Sequence, residues 1–448
     1  MKQKTLSRRD FMGAAAAIGA FTVVPRHVLG GAGNTPPSEK INIASIGAGG
    51  QAASDLRQME SENIVALCDV DWARASGMFR RHPDARKYRD YREMLDKEDK
   101  NIDAVVVAIP DHMHAVASMA AIKRGKHVYC EKPLTHDVYE ARVLAEAARK
   151  AGVATQMGNQ GQASEQTRLM CETIWDGAIG QVHDVHVWTD RPLRGINDVY
   201  WPQGVGRPTE KPAVPDTMAW DLWLGTAPER PYHPSYAPFK WRGWWDFGTG
   251  ALGDIGCHRI DPIFRALKLG HPTSVEGCCT LVNNETYPVA SRVTYEFPAR
   301  GNMAPVRLHW YDGGMKPPRP KELADGRTWS TNGILFEGDE GKMYETRLLP
   351  ESRQTAYGKP PQMLERSPGH YVEWIQACKG GKPAGSNFPD HAGLLAQLVL
   401  LGNLSLQPAL KEKVTRTRLL WDGDAMKITN MPEANQYLRR EYRKGWTL

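Results

Sequence analysis

Asp254 and His258 stand four residues apart in the run Gly250-Ala251-Leu252-Gly253-Asp254-Ile255-Gly256-Cys257-His258, so on a helix both side chains fall on one face. An imidazole that titrates at about 6.5 suits the removal of an alcohol's proton as hydride leaves the same carbon. A carboxylate one turn away can orient that ring or hold a neighbouring hydroxyl. Lys132, within Glu131-Lys132-Pro133, adds a cation able to hold an oxygen on which charge develops. Each residue also has a plainer role open to it: a hydrogen-bonded core histidine, a helix-capping acid, a surface lysine. Asp261 extends the same face, although Pro262 must break or restart the helix there. Asp254, His258 and Asp261 together raise the idea of a metal site, but no further convergent ligands accompany them and none is expected.

A second constellation lies far upstream. The apolar run Ile41 to Ile46 reads as a buried strand and leads into Gly47-Ala48-Gly49-Gly50-Gln51-Ala52, a G-x-G-x-x-A fingerprint. Gly47 permits the tight turn, Gly49 lets the backbone approach a pyrophosphate, and Ala52 keeps the following helix close to the strand. The helix that opens at Gly50 and Gln51 then turns its N–H groups to the phosphates. A second strand, Ile64 to Cys68, ends in Asp69, placed to accept from the adenosine ribose hydroxyls and to repel a 2′-phosphate. With Asp71 close behind, NAD is expected rather than NADP.

Positioning these groups takes an alternating fold. Strands at 103–109, 127–130 and 153–157 alternate with helices at 115–124 and 138–150, and Gly125 and Gly152 sit where helix C-caps belong. Such a doubly wound parallel sheet binds ligands beyond its strands' carboxyl ends. Two of those ends carry Pro110-Asp111-His112-Met113-His114 and the Glu131 triplet; a third carries Asn159 and Gln160, suited to polar contacts at a nicotinamide or substrate. The fingerprint, the Glu-Lys-Pro triplet and the Gly250–His258 run, in this order, resemble the glucose–fructose oxidoreductase / inositol dehydrogenase (Gfo/Idh/MocA) family over essentially the whole chain after residue 33. The resemblance implies that Lys132, Asp254 and His258 sit at nicotinamide and substrate. It also implies a cofactor site that includes Gly47, Gly49, Gly50, Gln51, Ala52, Asp69, Pro110, His114, Glu131, Lys132, Asn159 and Gln160.

The second half reads as a helix over 163–179, a strand over 182–188, and further strand-like runs at 274–282, 292–297, 306–311, 333–337 and 342–344, with helices at 370–378 and 391–404. The expected architecture is an α/β amino-terminal Rossmann domain (38–160), then an α+β domain with a large, mostly antiparallel open sheet (161–430), then a tail (431–448). Between Asp190 and Pro238 runs a segment rich in Pro, Gly, Arg and Trp, longer than a routine connection. Clustered tryptophans more often pin such a loop than bind sugar. Arg242, Trp245 and Asp261 are the substrate contacts expected here, since aromatic faces suit the C–H faces of sugar rings and Arg suits hydroxyls or acids. A Pro-rich loop over 312–320 is a second candidate cover.

The first thirty residues carry Lys2, Lys4, Arg8, Arg9 and Arg26 against Asp10, and without them the formal charge of +6 falls to about +2. No basic stripe points to nucleic acid. Ser7-Arg8-Arg9-Asp10-Phe11-Met12 and the short apolar run behind it resemble a twin-arginine export leader covering residues 1–33, too short for a span. The expected location is the periplasm, and the seven cysteines read as thiols rather than disulfide partners. A compartment without a pool of exchangeable NAD favours a retained cofactor. The expected activity is oxidation of a hydroxyl of a sugar, glycoside or cyclitol. The alternatives are a redox-neutral NAD-dependent glycosidase, as some relatives are, and a non-catalytic NAD-containing binding protein. The resemblance further implies a homodimer or homotetramer.

Overall fold

The computed structural model describes residues 39–195, 198–411 and 418–448; the leader expected over 1–33 lies outside them. The amino-terminal domain is a six-stranded sheet in the order β3-β2-β1-β4-β5-β6, parallel throughout. Its strands are β1 (Asn42–Ile46), β2 (Asn63–Cys68), β3 (Arg86–Tyr88), β4 (Ala104–Val107), β5 (His127–Glu131) and β6 (Thr155–Gly158). β4 reads Ala-Val-Val-Val and is buried at every position, as a strand covered on both faces by helices must be. The helix α1 (Gln51–Gln58) follows β1, and α2 (Trp72–Arg81) follows β2 under an Asp71 cap that accepts from Arg74 N. After β5, α3 (Val138–Ala151) opens on a capping box of Asp137 and Glu140 and closes on left-handed Gly152.

The second domain is built on a nine-stranded sheet whose strands lie in the order β15 (Arg347–Leu349), β14 (Lys342–Tyr344), β13 (Gly333–Gly338), β7 (Val182–Trp188), β12 (Val306–Tyr311), β11 (Ser291–Phe297), β10 (Ser274–Cys279), β16 (Leu419–Asp422) and β17 (Lys427–Ile428). Only the central pair β7 and β12 runs parallel. β10 pairs antiparallel with β11. Along β11, Val293, Tyr295 and Phe297 are buried while Arg292 is exposed and Thr294 and Glu296 are half-buried, the period-two pattern of a strand with one face on a core. That core is capped by α4 (Gly393–Leu404), whose sequence GLLAQLVLLGNL is almost wholly buried. This helix packs on both α3 and α5 (Gly250–Arg259), so one apolar rod locks the helix carrying Asp254 and His258 against the nucleotide domain. Asn403 Nδ2 donates to Thr249 O at 2.7 Å, which fixes where α5 begins.

Several expected boundaries move for local reasons. The helix expected over 163–179 runs only Glu165–Trp175, because the Ser164 side chain caps it. The strand expected to reach Val282 stops at Cys279. Pro262 restarts rather than breaks the helix: Ile260 stays helical and Asp261–Ala266 follows with the proline in its first turn. The helix expected from His391 begins as a π turn, Phe388–Ala392, before α4. Residues 431–448 are packed against the body rather than trailing from it, with Ala434 and Leu438 buried. Cys68, Cys130, Cys171 and Cys257 are buried thiols. Among the described residues no helix is long and apolar enough to cross a membrane.

Candidate active site

At the carboxyl ends of β1, β2, β4 and β5 lies a cleft of about 400 Å³, walled on its far side by residues of the second domain. The glycine loop forms its floor. Gly47 N donates to Cys68 O at 2.8 Å, and its φ of +97° with a Cβ position 2.3 Å from Ala108 O admits no side chain. A Cβ on Gly49 would stand 2.5 Å from the Arg74 side chain. α1 has neither an acidic residue in its first turn nor a side-chain cap, which leaves its amino-terminal N–H groups for an anion. Ala52 is fully buried beneath. Asp69 accepts from Ala48 N at 2.8 Å, Gly49 N at 3.2 Å and Asp71 N at 2.9 Å. Its carboxylate therefore braces the loop as well as lining the cleft. Burial raises its pKa against the pull of those N–H groups.

Pro110, Asp111, Glu131 and Lys132 line the cleft from the strand ends, with Gln51 and Gln160 beside them. Gln160 Nε2 donates to Glu131 Oε1 at 2.8 Å. Burial, and then the neighbouring Asp55 carboxyl, push Glu131 up to about 8. Asn159 is 1% exposed with neither amide atom hydrogen-bonded. It is a reserve of polar capacity next to Gln160 rather than part of the cleft lining.

The catalytic candidates converge. Lys132 Nζ reaches Asp254 Oδ1 at 2.8 Å and Asp254 O at 2.7 Å, and Arg242 Nε reaches the same Oδ1 at 3.0 Å. Burial disfavours the Asp254 charge, but the Lys132 and Arg242 cations hold its carboxyl far below the usual range. His258, one turn on, is half-buried in the cleft wall. Burial, and then the Lys132 charge, lower its pKa to about 3. The imidazole is thus neutral at physiological pH, the form that accepts a proton.

Three expected contacts are corrected. His114 does not line the cleft; its two ring nitrogens meet Pro133 O and Ile109 O, both at 2.7 Å, and so tie together two strand ends. Asp261 faces away, bonded to His391 Nε2 at 2.5 Å and Arg265 Nε at 3.0 Å. Trp245 stacks on Tyr287 with centroids 3.6 Å apart and donates to Asn283 O, along a separate cavity. Buried ion pairing and ring packing claim these side chains before any ligand can. The aromatic wall is instead made by Trp241, Phe239 and Trp223, with the Arg242 guanidinium 4.3 Å from the Trp241 ring. Trp220 helps pin the long loop from behind that wall: it stacks on Trp223 at 4.7 Å, and Ala219 N pairs with Val70 O just beyond β2.

Sequence reasoning missed three groups. Asp111 is buried and pushed up to about 7 by desolvation, and accepts from Thr249 Oγ1 at 2.6 Å. Its place in the Pro110 strand end was the available signal. Arg74 and Trp446 also line the cleft; the first stands one turn into the helix after Asp69, while nothing local marked the second. Among the described residues no group of His, Cys, Asp and Glu side chains could hold a metal ion.

Known proteins resemble this chain in sequence and fold. Residues 41–159 match the profile described as "Oxidoreductase family, NAD-binding Rossmann fold", and residues 193–304 that described as "Oxidoreductase family, C-terminal alpha/beta domain". Myo-inositol 2-dehydrogenase of Thermotoga maritima is 27% identical over 154 residues, 34% of this chain and 46% of that protein. 1,5-Anhydro-D-fructose reductase of Ensifer adhaerens is 39% identical over 83 residues, 18% of this chain and 25% of that protein. The matches thus span less than half the length of these curated relatives. Among solved structures, the WlbA dehydrogenase from Bordetella pertussis, in complex with NADH and UDP-GlcNAcA, shares the fold with a TM-score of 0.57 at 16% identity. That likeness covers 86% of this chain and 99% of that one. With both of its domains matched over more than half of its length, the chain belongs to the Gfo/Idh/MocA oxidoreductase family.

Proposed function

We propose that the protein oxidises a hydroxyl of a sugar, glycoside or cyclitol, using an NAD that it retains. The single observation that carries this is that Lys132 and His258 line one wall of a cleft floored by the glycine loop, with Asp254 behind them holding Lys132 and Arg242. The residues fit the cofactor: the loop runs so close to Ala108 and Arg74 that Gly47 and Gly49 admit no side chain, and α1 opens with no side-chain cap on its N–H groups. Bound there, NAD supplies the hydride acceptor. Gly47, Gly49, Gly50 and the α1 amino terminus would hold its pyrophosphate, Asp69 its adenosine ribose, and Gln160 and Glu131 its nicotinamide half.

The roles of the chain's own residues follow from their places in the cleft wall. Neutral His258 takes the hydroxyl proton. Lys132, held in place by Asp254, binds the oxygen and stabilises the charge it gains. Arg242, over Trp241, holds an adjacent hydroxyl, and the ring itself offers a face to the sugar's C–H groups. The fully ionised Asp254 offsets the two cations and keeps both pointed at the substrate. That relatives are named for action on inositol and on 1,5-anhydro-D-fructose supports a polyhydroxylated substrate.

The export leader read over residues 1–33 supports retention, because a cofactor carried out of the cytoplasm must be regenerated in place. We also infer assembly as a homodimer or homotetramer through the outer face of the nine-stranded sheet. The test is to incubate purified protein with myo-inositol, simple hexoses and chromogenic glycosides, and to follow reduced nicotinamide and released chromophore together. Reduced nicotinamide with an intact carbon skeleton supports the proposal. Glycoside cleavage without net reduced cofactor would assign the redox-neutral route instead.

A further inference from the structure

Residues 439–448 pack beside the cleft and are held by several buried contacts, and of these residues Trp446 enters the cleft lining. The Arg440 guanidinium meets Glu140 Oε1 and Thr226 Oγ1, each at 3.0 Å, and donates to His112 O as well. Arg440 N donates to Asp137 Oδ2 at 3.1 Å, and Tyr442 OH to Glu140 Oε1 at 2.6 Å. Arg443 adds further contacts to the same loop: its guanidinium donates to Gly225 O at 3.0 Å and Asp221 O at 2.9 Å, and its N–H to Thr226 O. The segment is therefore tied to the nucleotide domain through Asp137 and Glu140 and to the long loop of the second domain through Asp221, Gly225 and Thr226.

Beyond these anchors the chain turns at Gly445, at φ +90°, and brings Trp446 back onto the nucleotide domain. The Trp446 ring lies 6.3 Å from that of Tyr91 with the Arg92 guanidinium 4.4 Å above it. Lys123 Nζ donates to Leu448 O at 3.1 Å. Trp446 lines the same cleft as Asp69, Arg89 and Tyr91, which is the adenosine end by the position of Asp69 at the close of β2.

We propose that Trp446 is an adenine-binding residue, and that residues 443–448 form a clasp that keeps the dinucleotide on the protein from one turnover to the next. The inference rests on the reading of the cleft as an NAD site. An indole half-buried on one side and open to the cleft on the other presents a flat apolar face where a planar base must sit. Arg92 behind the ring fixes its plane through a cation–π contact. Because the Arg440 and Arg443 contacts hold the segment that carries the indole, the adenosine leaves only when Trp446 swings away or the Arg443 contacts open.

Two variants test this on the full protein: Trp446→Ala, and a chain ended after Tyr442, which keeps the buried Arg440 and Tyr442 contacts. The readouts are the dinucleotide released per protein on denaturation and the dissociation rate of bound NADH, followed by its fluorescence during a chase with NAD. Dissociation should speed up about tenfold or more in Trp446→Ala, the scale of one lost base–aromatic stack, and further in the shortened chain, while Trp446→Phe stays close to wild type. Unchanged release from Trp446→Ala would overturn the clasp while leaving the NAD site standing, even if the shortened chain fails to fold. A wild-type protein that binds no NADH in direct titration would overturn the cofactor reading itself, and the clasp with it.

Discussion

Replacing Lys132 with methionine separates the chemistry of the site from its stability. Lys132 and Asp254 side chains are each only 12% exposed, so the pair is desolvated, and removing one partner of such a pair costs roughly 3–5 kcal/mol. Here Arg242 Nε remains 3.0 Å from the same carboxylate oxygen. Asp254 therefore keeps one cation, and a smaller loss of about 2 kcal/mol in unfolding free energy is expected. The kinetic loss is larger, because one preorganised contact to a developing oxyanion is worth about a hundred- to a thousandfold in kcat. A third effect is specific to this geometry. The Lys132 charge is the second cause, after burial, of the low His258 pKa of about 3. Without that charge the imidazole titrates at higher pH, so the acid limb of kcat/KM must move upward. The assay is the pH profile of reduced-nicotinamide formation for wild type and Lys132→Met, beside a denaturant titration of both. A variant within about tenfold of wild type, whose acid limb has not moved, would refute the assignment of Lys132 to the reacting oxygen.

Other outcomes follow from the same contacts. His258→Ala should lower turnover by about a thousandfold while the purified protein still binds NAD; equal loss of both would mean that the imidazole is structural. Gly47→Ala should abolish NAD binding and lower the melting temperature, because its Cβ would stand 2.3 Å from Ala108 O at a φ of +97°; isothermal titration and thermal melts check both. Asp111 is raised to about 7 by burial, so it favours the protonated fold: the stability it contributes is complete below its ordinary carboxyl pKa and is lost as pH rises through 7. Asp111→Asn should therefore be more stable than wild type at about pH 8, by an amount on the order of 2 kcal/mol, and no more stable at about pH 4; the reverse order would contradict the sign. Asp69→Ala should weaken NAD binding and narrow the preference over NADP, since it removes both the loop brace and the charge facing a 2′-phosphate; unchanged affinities for the two cofactors would count against it.

The fold was legible where periodicity and punctuation are local. β4 is a run of buried valines, α3 opens on Asp137 and Glu140 and ends on Gly152, and the alternation along β11 shows its two faces in the sequence itself. The site was legible where fixed spacing implies a shared face: Asp254 and His258 lie on one helix as their separation requires. What failed was partner choice. His114, Trp245 and Asp261 have types that suit a ligand, but carbonyls, Tyr287 and Arg265 from distant segments satisfy them first. Edge strands as short as β3 and β17 (Lys427–Ile428) carry too few residues for a pattern. Trp446 reaches the cleft through Arg440 and Arg443, contacts more than two hundred residues apart in sequence, and no window along the chain contains that information.

The central claim, that this cleft moves hydride between a polyol carbon and NAD with His258 taking the proton, is tested most directly by a single turnover. NAD-loaded protein is mixed with excess myo-inositol and then with each of a panel of hexoses and glycosides, and the absorbance of reduced nicotinamide is followed alongside a pH indicator. At least one polyol should produce a rise equal to the protein concentration together with one proton released, and His258→Ala should produce neither on the same timescale. Bound NAD that stays oxidised with every polyol, or a His258→Ala trace that matches wild type, would contradict the account.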